Sequence, residues 1–119
     1  MESLMDPMTR VTIFVPPPQG AAQHMRLQEH IRALLEYGGG RAVANTPFPS
    51  HLQFYHLNIN LQLDWERGIL FIFDLFKSVW HDDLRQRLGQ LKRQLQQEFG
   101  RDMIWITIHE IQRIMEGDP

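Results

Sequence analysis

The sequence predicts an α+β sandwich, on three observations: a helix with an unbroken apolar stripe, an apolar strand on either side of it, and a weaker copy of the same strand–helix theme in the first half. The helix is the cleanest of the three. Trp80, Leu84, Leu88, Leu91, Leu95 and Phe99 recur at steps of four, four, three, four and four, which keeps them on one face. Ser78 can cap its start, Asp82 and Asp83 suit the positive end of the helix, and Gly100 can close it. Arg85, Arg87, Lys92, Arg93 and a run of glutamines form the solvated side, and Gly89 alone weakens it, by about 1 kcal/mol.

The flanking strands differ in texture. Ile69–Phe76 is apolar on both alternating sets apart from Asp74, as a strand covered on both faces must be. Met103–Ile111 places Ile104, Ile106 and Ile108 on one side and Trp105, Thr107 and His109 on the other. In the first half, Val11–Val15 reads as a strand stopped by Pro16, Pro17 and Pro18. Leu27, Ile31, Leu34 and Leu35 then mark a helix closed by Gly38, Gly39 and Gly40. A strict alternation follows, with Leu57, Ile59, Leu61 and Leu63 opposed to His56, Asn58, Asn60, Gln62 and Asp64, and it reads as the second strand. Asp64–Gly68 is short enough to turn a hairpin into the third. The order β-α-β-β-α-β is the ferredoxin-like plan: a four-stranded antiparallel sheet with both helices on one face.

Length and composition bound what such a domain can be. The 119 residues hold one core, expected over 8–116, with 1–7 and 117–119 as flexible termini. Apolar content is 43%, and no apolar run approaches the roughly 20 residues of a membrane span. Met1–Thr9 lacks the continuous apolar core of a signal peptide. The absence of cysteine removes disulfides and thiol chemistry and fits a cytoplasmic location. A formal charge of −2 leaves no broad basic surface for phosphate binding, so nucleic acid is not the expected partner.

Function is expected on the sheet face that the helices leave open. That face should show His56, Asn58, Asn60 and Gln62 from the second strand, Trp105, Thr107 and His109 from the last, and Thr12 and Phe14 from the first. The third strand adds either Leu70 and Ile72 or Phe71 and Phe73. A mixed aromatic and amide surface of this kind calls for an occupant. The preferred reading is a binding or regulatory module, acting as a homodimer packed sheet to sheet or on a protein partner. The alternative is a small enzyme or ligand carrier, with a cavity between two packed sheets lined by Asn58, Asn60, Trp105 and His109, as in dimeric α+β barrels. A third reading is RNA. Arg67-Gly68-Ile69-Leu70-Phe71-Ile72-Phe73 resembles part of the RNP1 signature of RNA-recognition motifs, and Ile13-Phe14-Val15 part of RNP2. The match departs from that family at Ile69, Leu70 and Asp74, where a stacking aromatic, a small residue and the last aromatic belong.

Six histidines raise acid–base and metal chemistry. His56 and His109 are the catalytic candidates, being placed on the open face and of the residue type that titrates near neutral pH. No pair has the spacing of a zinc site, so neither metal nor cofactor is expected. Gly38–Ser50 lacks the lysine and hydroxyl of a phosphate loop and reads as a helix stop and mobile connection, with Phe48 against the sheet.

Overall fold

The computed structural model describes residues 5–45, 52–100 and 104–114. Seven elements follow in order: β1 (Met5–Val15), α1 (Gly20–Gly38), β2 (Arg41–Asn45), β3 (Leu52–Leu57), β4 (Leu63–Leu75), α2 (Asp82–Phe99) and β5 (Trp105–Ile114). The sheet is antiparallel, in the order β2-β4-β1-β5, and β3 also pairs with β4. β2 lies along Leu70–Asp74 and β3 along Leu63–Gly68, so the long strand β4 is partnered over nearly its whole length.

The core lies on one side of the sheet. Val11, Ile13 and Val15 of β1 and Phe71, Phe73 and Leu75 of β4 meet Leu27 and Leu34 of α1 and Leu84, Leu88, Leu91 and Leu95 of α2. Each such leucine contributes roughly 2 kcal/mol by leaving water. The helices are tied together by polar contacts as well. Glu98 accepts from His30 Nε2 at 3.1 Å through its carboxylate and from Gln23 Nε2 at 2.8 Å through its backbone oxygen, while the Tyr37 hydroxyl donates to Asp83. Thr9 is buried on the core side, where its hydroxyl donates to the backbone oxygen of Lys77.

Several expectations are corrected. The sheet has five strands, not four. Leu57–Leu63 is not a strand: β3 ends at Leu57, β4 begins at Leu63, and a turn joins them. Asn58 builds that turn, its Oδ1 accepting from the backbone N–H of Asn60 at 2.9 Å and of Gln62 at 3.0 Å. Asparagine side chains that bond their own backbone two residues on favour turns, and here that chemistry wins over the apolar alternation. Ile59 and Leu61 are therefore at a loop tip, and Asp64–Gly68 lies inside β4. Arg41–Asn45, expected as loop, is a short edge strand, while Thr46–Ser50, including Phe48, falls outside the described residues. Trp80 precedes α2 and is largely exposed, with its N–H bonded to Ser78 Oγ at 3.2 Å. β1 starts at Met5, so Met5–Pro7, expected in a loose terminus, pair with β5.

Candidate functional site

Strand register sets out the open face as a series of cross-strand rows. Trp105, Phe14 and Leu70 form the first; Thr107, Thr12, Ile72 and Val43 the second; His109, Arg10, Asp74 and Arg41 the third. Successive rows are about 7 Å apart, two residues along each strand. Trp105, Thr107, His109, Thr12 and Phe14 thus share the face expected of them, and on β4 the choice falls on Leu70 and Ile72.

At the first two rows the face is hollowed into a pocket of about 290 Å³, lined by Thr12, Phe14, Phe54, Tyr55, His56, Leu70, Trp105 and Thr107. Phe14 is 3% exposed, with its ring centroid 3.9 Å from that of Phe54. Trp105, on the outer strand, is 60% exposed. Thr12 and Thr107 are directly paired across β1 and β5 and bring two hydroxyls to the otherwise apolar lining. Tyr55 holds its hydroxyl on Gln53 Oε1 at 2.9 Å. His56 carries the polar feature of most consequence. Its Nδ1 is buried with no hydrogen-bond partner among the described residues, a condition that costs about 1–3 kcal/mol unless something answers it.

Two strands that are far apart in the sheet order meet here. β3 pairs only with β4, and β5 only with β1, yet residues of both line the pocket. The β3–β4 hairpin therefore bends towards the open face and brings His56 to Trp105 and Thr107. His109 does not line this pocket. It sits one row further on, opposite Arg10, so the two candidate histidines share a face but not a cavity. Asn58, Asn60 and Gln62 are at the hairpin turn, apart from Trp105; Asn58 Nδ2 donates to Asp64 Oδ2 at 3.2 Å. Phe54 is not legible as a lining residue in the sequence, because the apolar alternation from Leu57 to Leu63 hides the turn that brings β3 over the sheet.

The third row is a line of charge. Arg10 Nε and Nη2 donate to the two oxygens of Asp74 at 2.8 and 3.1 Å, and Arg41 Nε lies 3.9 Å from Asp74. The hydrogen bonds from Arg10 hold the Asp74 carboxyl below the usual carboxylate range. The charges of Arg10, Arg41 and His109 act the same way, against the opposing effect of burial. The row borders a second depression of about 500 Å³, lined in part by Met8, Phe76 and Arg113.

This geometry implies an acid-sensitive link. Asp74 has a lower pKa folded than unfolded, so its contribution is present above its ordinary value near 3.8 and is lost as pH falls through its lower folded value. Asp74→Asn is expected to cost about 1–2 kcal/mol at neutral pH, discounted because Arg10 is 37% exposed and partly screened. The difference from wild type in urea unfolding should close below about pH 4. A constant difference down to pH 2 would exclude the ion pair as its source.

Among the described residues no cluster of His, Asp and Glu could hold a metal, and no helix is long and apolar enough to cross a membrane. The stretch resembling RNP1 turns Phe71 and Phe73 into the core, leaving Leu70 and Ile72 on the open face, so that stretch itself displays no aromatic for stacking a base.

No protein-family model matches the chain, and no curated protein matches it. Among solved structures, the fold is similar to that of a phage SAM lyase determined in complex with S-methyl-5'-thioadenosine. The TM-score is 0.55 at 19% identity, over 99% of this chain and 91% of the lyase chain. At that identity the likeness concerns the fold, an α+β arrangement with a five-stranded antiparallel sheet and two helices.

Proposed function

We propose that this chain is a small enzyme or ligand-binding protein whose ligand, a flat-ringed molecule of the thionucleoside type, sits in the pocket between the open sheet face and the β3–β4 hairpin. The observation that carries the reading is the convergence of three aromatic side chains, Phe14, Phe54 and Trp105, two hydroxyls and the unpartnered His56 Nδ1 on one cavity. Binding sites are concave, mostly apolar, and furnished with a few placed polar groups, which is what this cavity offers. Trp105 supplies a face on which a purine ring can stack, and Thr12, Thr107 and His56 supply partners for its polar edge. The fold's likeness to a lyase that binds S-methyl-5'-thioadenosine supports the ligand class by analogy only. The same reading takes β2 and β3 as successive pieces of one strand along β4, which makes the sheet order that of the ferredoxin-like plan.

Titration calorimetry with S-methyl-5'-thioadenosine and S-adenosylmethionine tests the proposal. Saturable binding of either is expected. Trp105→Ala should weaken it tenfold or more, since stacking on an aromatic side chain is worth about 1–3 kcal/mol. His56→Phe, which keeps an aromatic ring and removes the nitrogens, should weaken it about tenfold without lowering the melting temperature of the free protein. Absence of heat with both ligands, or binding indifferent to both substitutions, would discard this reading.

A second reading, contact with a protein partner through the open face, is favoured by the exposure of both Val43 and Trp105, at opposite edges of that face. Val43→Asp separates the two. It lies outside the pocket lining and should leave small-ligand binding intact while abolishing a protein contact.

A further inference from the structure

The β3–β4 hairpin carries its apolar face outwards. Register places Tyr55 opposite Trp65 and Leu57 opposite Leu63, so these four side chains share one face, and Ile59 and Leu61 extend it around the turn. The other face holds Phe54 and His56 and is turned to the pocket. All six outward residues are about half exposed or more, up to 96% for Ile59. The chain is correspondingly drawn out. Its radius of gyration is 16.3 Å and its extents are 55 × 30 × 28 Å, against roughly 13–14 Å expected for a compact chain of this length.

We propose that this outer hairpin face is the contact through which the chain binds a second copy of itself. Three observations support that occupant. First, a two-stranded hairpin standing alone is marginal in water, and this one presents its greasy side to solvent. Second, Leu61 holds a left-handed backbone at φ 58. That conformation costs a leucine on the order of 1 kcal/mol and suits glycine or asparagine better, so an exposed leucine there is explained by what its side chain touches. Third, the area fits: at these exposures the six residues present on the order of 900 Å², close to the roughly 800 Å² per partner of a standard interface. The patch has an apolar centre with Gln53 and Arg67 paired at its base, and a surface of that composition can pack on its own copy about a two-fold axis. A lipid surface is disfavoured, because the outward hairpin face carries a single cation, Arg67, and no basic cluster to meet anionic headgroups. The contact differs from the sheet-to-sheet dimer expected from sequence, in that it uses the hairpin and leaves the third row of the open face free.

Sedimentation equilibrium of the full chain at tens of micromolar tests it. The wild type should show at least twice the 14.1 kDa chain mass. Ile59→Asp combined with Leu61→Asn should give the single-chain mass with an unchanged far-UV circular dichroism spectrum, because both side chains lie at an exposed turn. Leu61→Asn alone should weaken association about tenfold and leave the dissociated chain no less stable, as asparagine tolerates the left-handed backbone. A wild type that stays at the single-chain mass overturns the proposal and leaves the patch to a different protein. So does an assembly whose mass the double substitution does not change.

Discussion

Gly68→Ala is expected to lower the melting temperature by about 10 °C, a loss of roughly 3 kcal/mol, and to close the pocket. Gly68 lies in β4, where the Phe14 ring crosses it. A Cβ there would stand 1.8 Å from Phe14 Cε2 and 2.7 Å from the backbone oxygen of Val15. The ring is 3% exposed and packed at a tilt against Phe54 at 3.9 Å, so it can retreat only towards the pocket it lines. Either β1 and β4 part locally, or the ring is driven into the volume proposed for the ligand. Calorimetry of unfolding and of ligand binding should therefore report the same substitution twice. A variant that melts within about 2 °C of wild type would show that Phe14 does not lie over Gly68.

Gly40→Ala should be more costly still, at about 4 kcal/mol. Its φ is +83, and a Cβ would fall 1.7 Å from the backbone oxygen of Asp74 and 3.1 Å from the Cα of Leu75. Backbone cannot step aside as a side-chain tip can, so β2 must separate from β4. Arg41 would then be drawn away from Asp74, and the charged row of the open face would lose its edge cation, while the Arg10–Asp74 bonds across β1 and β4 remain. The urea midpoint is the measurement. A loss below about 1 kcal/mol would mean that the turn re-forms in another conformation. Because the Arg10–Asp74 pair lies across β1 and β4, Gly40→Ala should leave most of the acid sensitivity that Asp74 confers.

Much of the open face was legible from residue order. The alternation of Thr12 and Phe14 against Val11, Ile13 and Val15, and of Trp105, Thr107 and His109 against Ile106 and Ile108, assigns those side chains to the faces they occupy. The helix stripe from Leu84 to Leu95 is likewise buried along its length. The middle of the chain misled. Leu57, Ile59, Leu61 and Leu63 alternate as a buried strand should, but two of them lie in a turn and all are exposed. The competing signal was there, since Asn58 and Asn60 are turn formers. Apolar periodicity outweighs them in the sequence, because apolar side chains ordinarily belong to the core. If they serve a second copy of the chain, no rule confined to one chain could have placed them correctly.

Local chemistry is what sequence alone determined: the two helices and the strands β1, β4 and β5, the face each buries, and where prolines and glycines interrupt them. These follow from the period of the apolar residues and the allowed backbone angles, which depend on near neighbours only. The tertiary structure alone decided that β4 is long enough to take both β2 and β3, and that the hairpin so formed bends over the open face. Only there do His56 and Phe54 meet Phe14, Trp105 and Thr107, residues about 40 to 50 positions away in the chain. A site assembled across such distances rests on strand register and curvature, and no spacing along the chain encodes it.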